Sequence, residues 1–225
     1  MQRSERDANQ GLPPERFYAI TASRLPGILK ERGGMGDREI LEARAVASVW
    51  PFKTNDHVLS LIDWSGDFRR DPMYVLTMPQ PGMLRTHELS KMAGLLDEGA
   101  SRKEIAVAAA EIRRGANPHP AGQVEDNKAL LSDGDEVEGV QHKYPETVLL
   151  FDKRGQTCHA YCTYCFRWPQ FVEPDLRMQS NNNDPFLNYL REHEEATNVL
   201  ITGGDPAIMK TEHLASIIDP LLDRV

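Results

Sequence analysis

The sequence predicts an α/β fold, helical in its first part and alternating strand and helix after about residue 140. Three observations predict it. Residues 38–49, 86–99 and 101–115 have the composition or capping signals of helices. Two short apolar runs rich in β-formers, "TVLLFD" at 147–152 and "NVLITGGDP" at 198–206, read as buried strands. Each strand runs into a loop and then a helical pattern, an order that gives parallel strands joined by right-handed crossovers.

Residues 1–40 read as a polar, weakly ordered lead-in ending at "ERGGMGD". After the helix at 38–49, Pro51 breaks the pattern, and Pro72, Pro79 and Pro81 limit residues 57–84 to a wrapping arm. Gly99 closes the helix at 86–99. In the next helix Ser101 and Glu104 stand at capping-box spacing, Ile105, Ala108, Ala109 and Ile112 share one face, and Gly115 is the stop signal. "NPHPAGQ" follows, then the acidic "SDGDEVEG" at 132–139, read as a solvated connector. These features divide the chain into a mostly helical region with an extended arm, 1–140, and an alternating region, 141–225. In the second region Asp184 is the expected N-cap of a helix with Pro185 at its first position. Thr211 caps a further helix whose Leu214, Ile217, Ile218, Leu221 and Leu222 make one face, with Pro220 expected to kink or end it.

Composition narrows the setting. A formal charge of −8 without a long Lys/Arg run argues against nucleic acid and anionic membrane surfaces as partners. No apolar stretch approaches the ~20 residues of a membrane span, and the first residues lack the apolar core of a secretory signal. With only 3 cysteines, all clustered, this points to a reducing cytoplasm rather than a disulfide framework.

Those cysteines, Cys158, Cys162 and Cys165, lie in "TCHAYCTYCF" with C-x3-C-x2-C spacing. Small buried hydrophobes are one reading of them. A zinc module using His159 as fourth ligand is another, although adjacent residues rarely reach one tetrahedral ion together. A third is a [4Fe-4S] cluster, in which three thiolates hold three irons and the fourth iron stays free for a small molecule. Only this last reading makes the count and the open position explain each other.

The spacing, with Tyr164 just before the last cysteine and "ITGGDP" at the end of the next strand, resembles the radical S-adenosylmethionine enzymes. Within them the chain is similar to the lysine 2,3-aminomutase group, through "WPFKTNDHVLSLIDW", "PQPGML", "NPHP", "HKYPETVLLF", "CHAYCTYCFRWPQF" and "VLITGGDPAIM". This resemblance implies an N-terminal helical region followed by a partial (β/α) barrel, and migration of an amino group between neighbouring carbons of an amino acid. The implied cofactors are a [4Fe-4S] cluster on Cys158, Cys162 and Cys165, S-adenosylmethionine, and pyridoxal 5′-phosphate. Gly203, Gly204 and Asp205 would hold the methionyl amino end of S-adenosylmethionine, with Tyr164 near its nucleoside. Arg167 would pair with the carboxylate of a small amino acid substrate, as a planar bidentate donor suits, and Tyr144 would stand near the pyridoxal phosphate. The resemblance also implies a reducing electron donor and homo-oligomers.

Departures qualify the match. Thr147 stands where the family often has an arginine near the phosphate, and after Cys165 only Arg167 remains of an arginine run, so the substrate is open. Two strands after residue 147 cannot close a barrel, and Lys210, the only lysine after Cys165, is not placed to hold pyridoxal phosphate. The sequence therefore reads as an N-terminal fragment, truncated after about two barrel strands, with the cofactor's lysine expected beyond residue 225. Two alternatives stay open: a radical S-adenosylmethionine relative with other chemistry, such as the lysine-isomerising maturase of a translation factor, and a non-catalytic, metal-binding remnant.

Overall fold

The computed structural model describes residues 18–116, 126–173 and 176–222. The "NPHP" segment and the first 17 residues of the lead-in lie outside these ranges. From residue 20 onward the lead-in is structured, contrary to the expectation. Strand β1 (Ile20–Thr21) leads to helix α1 (Leu25–Gly33), which buries Leu25, Ile28 and Leu29. Pro26 fits the first turn of α1, and Gly34, at φ +58°, ends it by donating its N–H to the Lys30 carbonyl. The signals were present, but charged neighbours masked them.

Helix α2 (Asp37–Val49) is the expected one and lies between two cores. Ile40 and Ala43 pack with Leu59, Phe68, Tyr74 and Met78, whereas Ala45, Val46 and Val49 pack with Met92, Ala108, Ala109 and Ile112. Strand β2 (Lys53–Thr54) pairs antiparallel with β1, Ile20 opposite Thr54. The arm then carries two short helices that begin at side-chain caps. Asn55 Oδ1 accepts from Val58 N at the start of α3 (Asp56–Ser60), and Asp71 Oδ1 accepts from Met73 N and Tyr74 N at the start of α4 (Pro72–Thr77). Helices α5 (Thr86–Asp97) and α6 (Arg102–Ala116) complete this half. The expected box at α6 forms, with Ser101 N donating to Glu104 Oε2 at 2.8 Å and Glu104 N to Ser101 Oγ at 3.3 Å.

The acidic stretch is not a connector. It forms the turn and first residues of a hairpin between β3 (Lys128–Leu130) and β4 (Glu136–Tyr144). Beneath the charge, burial alternates over residues 136–139: Val137 and Gly139 are buried while Glu136 and Glu138 face solvent, and Val140 is buried as well. Strand β4 runs through residue 140, so the sheet begins before the position where composition changes. Strand β5 (Thr147–Leu150), helices α7 (Pro169–Val172) and α8 (Asp184–Glu192), strand β6 (Asn198–Ile201) and helix α9 (Thr211–Leu222) follow. The sheet order is β3-β4-β5-β6, and β5 and β6 are parallel as expected, with Leu150 opposite Ile201.

Phe186, Tyr189 and Leu190 of α8 and Ile217 of α9 pack onto Val148 and Leu150 of the sheet. Two expectations shift slightly. Asn183 occupies the N-cap position and Asp184 is the first helical residue, and Leu222 at the end of the expected α9 face is 64% exposed. Pro220 lies inside α9, which continues past it to Leu222. The chain is a mixed α/β protein in which both β5 and β6 deliver their following loops to one sheet edge. Among the described residues no helix is long and apolar enough to cross a membrane.

Candidate active site

Parallel pairing of β5 and β6 brings the two loops that follow them into contact. The Gly155 carbonyl accepts from Gly204 N at 3.0 Å and from Asp205 N at 3.2 Å, and the Thr157 carbonyl accepts from Asp205 N at 2.8 Å. Glycine is required for so close an approach: a Cβ on Gly204 would lie 2.4 Å from the Thr157 carbonyl carbon. Gly203 adopts φ +137°, a conformation that side chains rarely take. The Asp205 side chain then fastens both loops, its Oδ2 lying 3.0 Å from His159 Nδ1 and its Oδ1 accepting from Ala207 N at 3.0 Å.

The helical half grips the same cysteine loop from the other side. Lys53 Nζ donates to Thr157 Oγ1 at 2.8 Å, Tyr161 N donates to the Lys53 carbonyl at 2.8 Å, and Asn55 Nδ2 donates to the His159 carbonyl at 3.3 Å. Thr163 N and Oγ1 donate to the Leu76 and Val75 carbonyls. Beyond the last cysteine, Trp168 meets Trp50 edge-on at 4.9 Å, and Arg113 of α6 donates to Glu173 Oε1 at 2.7 Å and to the Val49 carbonyl at 3.0 Å. The loop is thus held by strand β2, helix α4 and helix α6 as well as by its own sheet.

The three thiols are free of disulfides, with Cys158 and Cys165 half-buried and Cys162 exposed. Burial pushes the Cys158 thiol up to about 12, and the charges of Cys165, Asp205 and Cys162 push the same way, against the Lys53 ammonium. Burial also raises Cys165, with the Cys162 charge adding to it and Arg167 opposing it. Three mutually repelling sulfurs form a donor set whose ionised state needs a bound positive centre, and that chemistry fits a thiolate-bound iron–sulfur group. Among the described residues no three His, Cys, Asp or Glu side chains converge on a single-ion site. A cluster asks for a wider spacing, since each thiolate takes a different iron. His159, the fourth ligand in the zinc reading, faces Asp205.

Arg167 lies at the same edge, its guanidinium 4.8 Å from the ring centre of Phe151 and 5.2 Å from that of Phe166. Burial depresses its pKa, with the Cys165 charge pulling it back up. Tyr164 is 75% exposed and, with Cys162, Cys165, Trp50, Met83 and Trp168, lines a pocket of about 280 Å³ beside the thiols. Tyr144 is not brought to this edge. It pairs with Thr147 at the amino end of β5, so roughly 10 Å of strand separates it from the cysteine loop. Strand β4 runs antiparallel to β5, which carries its last residue away from the loop. The grip by Lys53, Asn55, Thr163 and Arg113 was not anticipated. Only the unusual "WPFKTND" string, polar residues at the end of a helix, signalled part of it.

No protein-family model matches the chain. It is 29% identical to a putative L-lysine 2,3-aminomutase of Aquifex aeolicus over 83% of this chain and 39% of that relative. An L-lysine 2,3-aminomutase of Methanococcus maripaludis is 22% identical over 82% of this chain and 34% of its own length. A glutamate 2,3-aminomutase of Clostridioides difficile is 28% identical over 36% of this chain and 19% of its own. The chain therefore spans well under half the length of these curated relatives.

Proposed function

We propose, from the premise that the chain is a relative of the lysine 2,3-aminomutases, that it carries the radical-initiating site of an enzyme that moves an amino group within an amino acid. Cys158, Cys162 and Cys165 would ligate a [4Fe-4S] cluster. Gly203, Gly204 and Asp205 would receive the methionyl amino end of S-adenosylmethionine, with Tyr164 beside its nucleoside. When bound, the cluster and S-adenosylmethionine would supply the one-electron chemistry that starts hydrogen abstraction from the substrate. Arg167 would orient that substrate by its carboxylate. Its flat cation is already braced against Phe151 and has bidentate donors to offer. The contacts from Lys53, Asn55 and Thr163 hold the loop in shape before any ligand arrives, which lowers the ordering cost of binding. Tyr144, the one described residue assigned to pyridoxal 5′-phosphate, stands opposite Thr147 at the far end of β5.

The observation that carries the reading is the contact of Asp205 N with the Thr157 carbonyl, which seats the glycine turn directly before the first cysteine. Anaerobic reconstitution with iron and sulfide, followed by assay of reductive 5′-deoxyadenosine release, tests it. Near four irons and four sulfides per chain are expected, with loss of the cluster in Cys162→Ala. About one zinc per chain and no sulfide would favour the non-catalytic remnant instead.

A further inference from the structure

Lys53 is unusual among the cations of this protein. Strand β2 is fixed by pairing with β1 and by the fully buried Thr54 beside it, so the Lys53 backbone has little freedom. From that anchor the residue reaches the cysteine loop twice, through its carbonyl to Tyr161 N and through Nζ to Thr157 Oγ1 at 2.8 Å. Its Nζ also lies 5.8 Å from the ring centre of Tyr161, whose hydroxyl stands 3.3 Å from the same Thr157 oxygen. The structure gives the ammonium a hydroxyl and an aromatic face as its surroundings, and the residue it holds, Thr157, directly precedes Cys158. Burying part of a lysine among such groups costs solvation, and a neutral donor would serve the hydrogen bond to Thr157 equally well. What the ammonium adds is a positive charge at the Cys158 end of the thiolate set.

We infer that Lys53 is a positioning residue whose ammonium, held against the Cys158 end of the loop, raises the reduction potential of the cluster bound there; this rests on the cluster reading above. Reduction adds one electron, supplied by an external low-potential one-electron donor, and needs no proton. The bound group becomes more negative by one charge, so a fixed neighbouring cation stabilises the reduced state more than the oxidised one. Arg167 approaches the opposite, Cys165 end and is engaged by two aromatic rings. The two cations therefore act on different sulfurs.

The test is a mediated redox titration of the full chain, reconstituted anaerobically and followed by electron paramagnetic resonance at pH 7, with iron and sulfide counted in each sample. Lys53→Met removes the charge and the donor. Lys53→Gln removes the charge and keeps a donor for Thr157, and Lys53→Arg keeps the charge. Both neutral variants should retain their iron and show at least a tenfold lower ratio of reduced to oxidised cluster at a fixed potential, which is about 59 mV for a one-electron couple. Lys53→Arg should stay near wild type. Thr157→Val, which deletes the hydrogen bond but leaves the ammonium, should shift the potential far less than Lys53→Met. A neutral variant with full iron and the wild-type potential overturns the inference. So does loss of the cluster from both neutral variants with unchanged melting, because Lys53 would then build the site rather than tune it. A wild-type chain that takes up no cluster fails earlier, and overturns the cluster reading itself.

Discussion

Asp205 Oδ2 lies 3.0 Å from His159 Nδ1, which ties the acidic residue of the glycine turn to the residue after the first cysteine. Its other oxygen accepts from Ala207 N, so one carboxylate both closes the turn and joins it to the cysteine loop. Asp205→Ala removes both links and should lower stability by roughly 1–2 kcal/mol, visible as a reduced urea midpoint. If Asp205 also receives the methionyl ammonium, equilibrium dialysis of the reconstituted variant should show weakened S-adenosylmethionine binding with iron content unchanged. Unaltered affinity would remove Asp205 from the ligand site.

Gly203→Ala and Gly204→Ala should differ in kind. At Gly204 the added carbon meets Thr157 backbone at 2.4 Å, and backbone on both loops is fixed by hydrogen bonds, so the loops must separate. At Gly203 it meets the Gln156 side-chain amide, which can swing away, leaving the strain of φ +137°. Both variants should lose stability, by about 1–3 kcal/mol each, but only Gly204→Ala should also lose most of its iron on reconstitution. Equal iron retention in the two would show that the contact between the loops is not what shapes the site.

The site was legible where chemistry demands rare residues at fixed spacing, and illegible where it depends on distant packing. Cys158, Cys162, Cys165 and the 203–205 turn could be read because strand order alone delivers both loops to one edge. Helix α2 was legible through its composition, α5 through Gly99 after its end, and α6 through its capping box and apolar face. Strand β4 was not, because Glu136 and Glu138 lie on the solvent face amid an acidic stretch, while Val137, Gly139 and Val140 carry the buried pattern. The direction of Tyr144 was illegible for the same reason: without β4 there is no antiparallel partner to set it. The grip of Lys53 on Thr157 spans 104 residues, and no local pattern encodes such a contact.

The Arg113–Glu173 pair should behave as a clasp between α6 and the segment after the last cysteine. Both side chains are mostly buried, at 13% and 27% exposure, and Arg113 also satisfies the Val49 carbonyl at the end of α2. Glu173→Gln leaves a cation partly desolvated and should cost about 1–3 kcal/mol, whereas exposed pairs such as Lys91–Glu111 should cost less than about 1 kcal/mol when broken. A double-mutant cycle with Arg113→Met and Glu173→Gln isolates the coupling by urea denaturation. Additive effects would mean that the clasp is not energetic.

Acid should weaken the root of the cysteine loop through Asp152. Burial alone would raise its carboxyl, but hydrogen bonds from Arg154 and Asn183 and the Arg154 charge outweigh burial and hold it below the usual carboxylate range. Arg154 Nη2 is 2.6 Å from Oδ2, Arg154 Nε is 2.9 Å from Oδ1, and Asn183 Nδ2 donates to Oδ2 at 3.0 Å. A carboxyl depressed on folding contributes stability that is complete above its unfolded value of about 3.9, and that contribution is lost as pH falls through the lower folded value. The urea midpoint of the wild type should therefore exceed that of Asp152→Asn most clearly near pH 6–7, and the gap should narrow as the pH drops below about 4. The neutral variant also places an amide nitrogen among the donors of Arg154 and Asn183, a penalty that does not titrate. A gap that stays constant from pH 7 to pH 3 would assign the whole effect to that misplaced donor and none to the ionised carboxylate.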